Sequence, residues 1–361
     1  HLRDAAHVCS RVFSGESGLV SVRVSARGDL PSDNATRSEL VCDFSSFKGQ
    51  PLARRALEIA ASGNHHILLF GPPGSGKTMA ARCLAGIMPK LDAVAAMEAA
   101  TMYSLAGLTR GFCLDPVCRA PPHSTSAEGL IGGGRLLRPG ELSLAHGGLL
   151  FLDETPEFRS DVLQVLREPL ESGIVSLCRA NKIMQYPARI LLAMTANLCP
   201  CGNLGKPDAV CLCTRDEIRK YWKKISGALL DRIDIRLPLK PAAVSGLLRE
   251  EESESSLAIA ARVSRCRELQ RERYRNSAYT ANGFLDSAGI DKYLKIQVSQ
   301  YRDFFGFLQK EGFSSRAVHS AIKLARTIAD MEGCEAIQRD HLEEAYTYRK
   351  YGEADWYWTM P

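Results

Sequence analysis

Three short runs of consecutive apolar residues are prominent in the first two thirds of the chain: Ile67–Phe70, Leu149–Leu152 and Ile190–Met194. None of them alternates with polar residues, which is typical of parallel strands whose two faces are both covered. A helical spacing of apolar residues begins at Pro51, before the first run, and a further helical segment, Met79–Ile87, follows it. The pattern therefore predicts an α/β fold with a parallel sheet between layers of helices.

The last third of the chain has a different pattern. After Pro241 the strand-like runs stop, and an acidic, polar stretch leads into three helical segments, Leu257–Tyr274, Ser315–Met331 and Arg339–Tyr348. We expect a helical second domain over 242–361, following an α/β domain over 44–241.

The segment 1–43 precedes the first predicted elements and is rich in Ser, Gly and Asp between positions 14 and 38, as linkers are. The chain begins with His1 rather than Met. We expect this segment to be the remnant of an upstream domain together with a linker.

The amino-acid composition excludes few classes of protein. The 361 residues are 45% apolar and 24% charged, which is ordinary for a globular protein. No apolar run reaches the length of a membrane-spanning helix, so no membrane association is predicted. The net charge of +5 favours a solvated, mildly basic surface over a dedicated nucleic-acid surface.

A phosphate-binding loop follows the first strand and leads into a helix. Its residues are Gly71, Pro72, Pro73, Gly74, Ser75, Gly76, Lys77 and Thr78, and Met79 continues into the helix. Glycines allow backbone amides to face phosphate oxygens, a lysine adds positive charge, and the final hydroxyl binds Mg²⁺. Because a strand and a helix flank the loop, a chance match is disfavoured, and ATP with Mg²⁺ is the predicted ligand. A chain with an ATP site is expected in the cytoplasm, where its 12 cysteines stay reduced.

Polar residues end the other two strands. Asp153 and Glu154 follow the second strand, where an aspartate holds Mg²⁺ and a glutamate activates the attacking water. Asn197 follows the third strand and is predicted to position that water. The alternatives are surface carboxylates and a turn-forming asparagine.

Two arginines are candidates for neutralising phosphoryl charge. Arg232 lies far from the loop in sequence and would serve well from a neighbouring subunit; the alternative is a salt bridge with Asp231 or Asp234. Arg316 opens a helix of the second domain, from which it would reach the nucleotide; the alternative is a solvated helix start.

Four cysteines form a paired cluster: Cys199, Cys201, Cys211 and Cys213. Four thiolates suit a tetrahedral Zn²⁺ site, although the single-residue spacers are tighter than usual. Four reduced thiols in a turn-rich loop remain the alternative. The chain also carries two inserts, a glycine-rich one over 104–138 and a predicted hairpin over 174–187. The basic tip of the hairpin would contact a phosphate backbone; the alternative is a solvated turn.

Together these residues resemble the magnesium-chelatase-like AAA+ ATPases, and within them the ComM/YifB branch, over about residues 44 to 350. The resemblance rests on the following segments: FKGQ at 47–50, GPPGSGKT at 71–78, RAPPHSTSAEGLIGGGRLLRPGELSLAHGGLLFLDE at 119–154, PEFRSDVLQVLREPLESG at 156–173, CPCG at 199–202 and ISGALLDRID at 225–234.

The resemblance implies an AAA+ core with a C-terminal helical lid, assembled as a hexameric ring. It implies that Lys77 and Thr78 are Walker A residues, Asp153 and Glu154 the Walker B pair, and Asn197 sensor 1. It also implies that Arg232 is the arginine finger and Arg316 sensor 2, that the two inserts line the ring's pore, and that 1–43 belongs to a Lon-protease-like domain.

Members of that branch drive branch migration of DNA during natural transformation, so the resemblance favours a DNA helicase or translocase. A chelatase-type motor that remodels a partner protein during Mg²⁺ insertion into porphyrin is the alternative. A nucleotide-dependent scaffold without sustained turnover is disfavoured by the intact Walker pairs.

Overall fold

The computed structural model describes residues 42–179, 182–206, 209–241, 254–294, 296 and 298–351. Most of the predicted segment 1–43, the start of the predicted second domain and the hairpin residue Asn181 lie outside these residues.

A five-stranded parallel sheet forms the centre of the α/β part, in the order β2-β5-β8-β1-β9. Its strands are Cys118–Arg119 (β2), Leu149–Leu152 (β5), Leu191–Ala196 (β8), Ile67–Phe70 (β1) and Ile235–Pro238 (β9). Two small antiparallel pairs stand apart from it: Gly132–Gly133 (β3) with Arg138–Pro139 (β4), and Ile174–Arg179 (β6) with Lys182–Pro187 (β7). The predicted hairpin over 174–187 is confirmed.

Helices surround the sheet and make up the C-terminal part. In chain order they are Pro51–Gly63 (α1), Lys77–Ile87 (α2), Ala93–Ala106 (α3), Ala127–Ile131 (α4), Glu141–Leu144 (α5), Ser160–Gln164 (α6), Arg167–Ser172 (α7), Arg215–Lys223 (α8), Gly227–Leu230 (α9), Ser256–Arg273 (α10), Ser287–Gly289 (α11), Arg302–Lys310 (α12), Ser315–Met331 (α13) and Arg339–Arg349 (α14). The predicted helical region at the C-terminal end is confirmed, with its long helices within two residues of the predicted bounds.

The sheet is buried on both faces, as its continuous apolar strands predict. Ile67 and Leu69 of β1 face one hydrophobic cluster, and Leu68 and Phe70 face another. Alternate residues of a strand point to opposite faces, so a strand with both faces covered is mostly apolar along its whole length.

The C-terminal helices dock on the sheet through a buried polar network. The His65 ring lies between the Asp234 carboxylate, at 2.9 Å, and the Thr327 hydroxyl of α13, at 2.7 Å. Asp234 also pairs with Lys323 of α13 at 3.7 Å. Because α10, α13 and α14 share one hydrophobic cluster with α1 and α2, the lid helices are packed against the α/β part. No described helix combines the length and the apolar character needed to cross a bilayer.

Candidate functional site

The predicted site residues that follow β1, β5 and β8 come together at one edge of the sheet. These three strands are parallel neighbours, so their carboxyl ends meet at the same edge. Ligand sites of open α/β sheets lie outside this edge.

The phosphate-binding loop leaves β1 and opens directly into α2. Gly74 and Gly76 adopt φ values of +81° and +86°, which favour glycine because a Cβ is strained there. The helix begins at Lys77, so the first amides of α2 lack partners within the helix and suit an anion. The Met79 side chain packs against the hydrophobic core. Its predicted contact with the nucleotide stays a prediction.

Lys77 is buried within this loop. Its Nζ donates to the Gly71 carbonyl at 2.8 Å, the Pro72 carbonyl at 3.0 Å and the Asn197 side-chain oxygen at 3.0 Å. Burial lowers the pKa of Lys77, and the charges of Asp153 and Glu154 oppose that shift. The ammonium is thus held where a terminal phosphate would meet the loop.

Thr78 and Asp153 face each other across the same edge. The Thr78 hydroxyl lies 3.2 and 3.3 Å from the two Asp153 carboxylate oxygens. A hydroxyl beside a carboxylate is the donor set that P-loop ATPases offer to Mg²⁺. The residues present therefore fit the metal that the loop predicts.

A fully buried threonine of β8 holds the acidic pair in place. The Thr195 hydroxyl donates to the Asp153 carboxylate at 2.5 Å and accepts from the Glu154 amide at 2.8 Å. Glu154 itself has a φ of +50°, a left-handed conformation that is uncommon for residues other than glycine. Its side chain is exposed, so water can reach the carboxylate. The sequence analysis missed Thr195, because a single polar residue inside an apolar strand run carries no motif.

Asn197 is held through both its backbone and its side chain. Its backbone amide donates to the Tyr221 hydroxyl at 3.3 Å, and burial raises the pKa of that tyrosine. The asparagine side chain reaches the loop lysine from the end of β8.

The two predicted arginines lie together at the other edge of the sheet. Both bind the carboxylate of Glu171 in α7, Arg316 at 3.1 Å and Arg232 through its Nη2 atom. They line a cavity of about 550 Å³ together with His66, which immediately precedes β1. Strand β1 has four residues. At about 3.3 Å per residue the two edges are therefore roughly 13 Å apart.

Arg316 lines the amino-terminal edge, so it lies away from the phosphate-binding loop of its own chain. Its contact with a nucleotide stays a prediction. The alternative of a salt bridge between Arg232 and Asp231 or Asp234 is replaced, since the partner of Arg232 is Glu171. Glu171 was missed by the sequence analysis because its partners are 61 residues or more away.

The four clustered cysteines converge in the loop after β8. We term the described residues of this loop, 199–206 and 209–213, the cysteine loop. All four sulfur atoms lie within 4.8 Å of one another. Cys199 lies 3.4 Å from Cys201 and 3.6 Å from Cys211, and Cys201 lies 3.7 Å from Cys211. The backbone amide of Asn203 lowers the pKa of Cys201 to about 6. A Zn–S bond of about 2.3 Å in a tetrahedron gives sulfur atoms about 3.8 Å apart, so the spacing fits zinc.

Comparisons with known proteins agree with this geometry. The family model described as magnesium chelatase, subunit ChlI matches residues 43–246, and the model for the C-terminal part of that subunit matches residues 253–349. The chain belongs to the magnesium chelatase ChlI family. It is accordingly an AAA+ ATPase by fold and family, and the family implies the use of ATP and Mg²⁺.

Several curated relatives of this ChlI-family chain are similar over most of its length. The uncharacterized protein YifB of Escherichia coli is 39% identical over 325 residues, covering 88% of this chain and 62% of YifB. The competence protein ComM of Haemophilus influenzae is 40% identical over 314 residues, covering 85% of this chain and 60% of ComM. The magnesium-chelatase 38 kDa subunit of Rhodobacter capsulatus is 26% identical over 186 residues, 46% of this chain and 53% of that subunit. The chain thus spans about three fifths of YifB and ComM.

Proposed function

We propose that this chain is the motor part of a ring-forming ATPase that moves DNA, hydrolysing ATP to ADP and phosphate. The observation that carries the ATPase proposal is the meeting of Lys77, Thr78, Asp153 and Asn197 at one sheet edge. In this proposal Lys77 and the loop amides bind the phosphates. Thr78 and Asp153 hold Mg²⁺, which neutralises phosphate charge, and Glu154 accepts a proton from the attacking water.

The proposed site is completed by a neighbouring subunit. Arg232 and Arg316 lie at the amino-terminal edge of their own sheet, where they face no phosphate of their own chain. In a ring they would stabilise the charge on the phosphoryl group bound by the next subunit. A closed ring, with a hexamer as the expected size, gives every subunit both halves of a site.

Mixing two inactive variants tests this arrangement. Lys77→Ala removes the loop charge, and Arg232→Ala removes the arginine offered to the neighbour. Each variant alone should hydrolyse little ATP, while in a random 1:1 mixture about a quarter of the interfaces combine an intact loop with an intact arginine. ATPase activity that does not recover on mixing would contradict a shared site.

A surface formed by the glycine-rich insert and the hairpin supports DNA as the proposed substrate of the motor. The Tyr186 hydroxyl of the hairpin donates to the Leu137 carbonyl at 2.6 Å, which ties the hairpin to the glycine-rich insert. The exposed basic residues on this surface are Arg135, Arg138, Arg179 and Lys182. Cationic loops track a phosphate backbone without reading sequence. The similarity to a competence protein favours the same ligand.

Measuring the ATPase rate with and without forked DNA, at two salt concentrations, tests whether the motor acts on DNA. Stimulation by DNA that weakens with salt supports the DNA motor, since phosphate contacts release counterions. The similarity to a magnesium-chelatase subunit keeps a chelatase-type motor as the second candidate. Stimulation by a partner protein alone would favour that candidate.

We also infer that the cysteine loop takes Zn²⁺ through Cys199, Cys201, Cys211 and Cys213. The support is the convergence of four cysteine sulfur atoms within 4.8 Å of one another, the number of thiolates that a structural zinc site uses. Metal analysis of the purified chain should give one zinc per chain, and Cys211→Ser should lose it. A metal-free chain that folds and retains four free thiols would refute the inference.

A further inference from the structure

The cysteine loop packs directly against the phosphate-binding loop. A Cβ built on Gly202 would lie 3.0 Å from Cγ of Pro73, and a Cβ on Gly205 would lie 3.8 Å from Cδ of Pro72. The backbone at Gly202 therefore lies against Pro73, and the backbone at Gly205 lies near Pro72. The contact leaves no room for a side chain at Gly202 unless the proline moves.

The same loop continues directly from Asn197. The Leu198 carbonyl accepts from the Trp222 indole at 3.2 Å, and the Asn197 amide donates to Tyr221. Cys199, the first cysteine, is fully buried beneath this junction. One end of the cysteine loop is thus anchored to α8, and its middle rests on the phosphate-binding loop.

A metal bound by the four cysteines would hold the cysteine loop in one conformation. The backbone amide of Leu204 lies 3.3 Å from the Cys199 sulfur, which leaves the turn over 202–205 attached to the sulfur cluster. Amides that donate to metal-bound sulfur atoms orient the ligands and the turn that carries them. Metal binding and local folding are coupled, so a metal bound by the four sulfur atoms would stabilise this loop conformation.

We propose that zinc in the cysteine loop braces the nucleotide site, so that metal loading sets the affinity for ATP. Gly202 would hold Pro73 in place, and Gly205 would hold Pro72. The start of the cysteine loop would hold Asn197 at the end of β8. This inference rests on the proposed ATPase function and on the proposed zinc site, and it adds that the two sites are coupled. The cysteine loop is a positioning element here, since no cysteine contacts the phosphate-binding lysine.

Two variants separate the metal from the contact. Cys211→Ser removes one sulfur ligand. Gly202→Ala keeps all four cysteines but places a methyl group against Pro73. Gly333→Ala is the matched control, because Gly333 has a φ of +72° against +73° for Gly202, and a Cβ there meets nothing within 4 Å. Both alanine variants therefore carry similar backbone strain, and only one disturbs the brace.

The experiment measures zinc content by metal analysis and the ATP dissociation constant with a fluorescent ATP analogue and Mg²⁺. We expect Cys211→Ser to lose zinc and Gly202→Ala to keep it, with both weakening ATP binding by about tenfold, since sub-ångström misplacement of a binding group has effects of this order. Gly333→Ala should bind as the wild type does. Adding Zn²⁺ to wild-type protein stripped of metal should restore the affinity.

The outcomes distinguish the coupling from the function on which it rests. Equal ATP affinity in zinc-loaded and zinc-free wild type, together with unchanged affinity in Gly202→Ala, overturns the brace and leaves the ATPase proposal standing. A wild-type chain that carries zinc but binds no ATP overturns both. Lys77→Ala should lose ATP and keep its zinc, which checks that metal content does not simply follow nucleotide binding.

Discussion

Replacing Thr195 with valine tests how the acidic pair is held. Valine has nearly the shape of threonine, and position 195 is fully buried, so packing in β8 should be preserved. The substitution removes the hydroxyl that donates to Asp153 and accepts from the Glu154 amide. It therefore perturbs the carboxylates of the site without touching the phosphate-binding loop.

The expected cost follows from these two hydrogen bonds. A hydrogen bond to a charged group contributes about 1.5–3 kcal/mol, and a buried donor left without a partner costs about 1–3 kcal/mol. Asp153 is only partly buried and keeps its contact with Thr78, so water and Thr78 offset part of the loss. We expect about 2–3 kcal/mol in total, divided between the free energy of unfolding and the activation free energy of hydrolysis.

The assay is phosphate release at saturating ATP and Mg²⁺. If about half of the cost falls on hydrolysis, kcat drops by about tenfold. The affinity for ATP without Mg²⁺ should not change, because Thr195 does not contact Lys77. Thr195→Ser is the matched control, since it keeps the hydroxyl and loses only a methyl group. The reasoning is refuted if valine supports the wild-type kcat, or if serine loses as much activity as valine.

Three further predictions concern other carboxylates. Glu154→Gln should lower kcat by about 100-fold or more and keep ATP binding, which single-turnover and equilibrium measurements separate. Burial opposes ionisation of Asp234, but Lys323 and the neighbouring histidine hold the pKa of its carboxyl below the usual 3.8. Thermal unfolding should therefore show Asp234→Asn to be less stable at pH 7. The difference should shrink below about pH 4, where the unfolded wild type takes up a proton on this carboxyl while the folded protein still keeps it ionised. Glu171→Ala removes the carboxylate that Arg232 and Arg316 both bind, and it should lower kcat and leave the ATP dissociation constant unchanged.

The sequence predicts the sheet and the main chemistry because both depend on local patterns. Apolar strands without alternation require burial on both faces, and parallel strands bring Asp153 and Asn197 to the edge that carries the phosphate-binding loop. The strand–loop–helix order around Lys77 is likewise a local signal.

The parts that sequence reasoning missed depend on contacts between distant segments. Thr195 is an ordinary strand residue until β5 and β8 pair, and Glu171 gains Arg316 as its second arginine partner only when the lid docks. The edge at which Arg316 lies was unpredictable for the same reason, since a helix start in the last third of the chain does not indicate which edge of the sheet the lid covers. Packing of glycines against Pro72 and Pro73 carries no sequence signal at all.

The proposed nucleotide site depends above all on the equilibrium binding of ATP to the purified chain, measured with and without Mg²⁺. We expect Mg²⁺ to strengthen binding, and Lys77→Ala to abolish binding while the protein remains folded. Asp153→Asn should remove most of the Mg²⁺ dependence. Binding that is the same in Lys77→Ala and in the wild type, or that is indifferent to Mg²⁺, would show that the nucleotide does not bind at this loop.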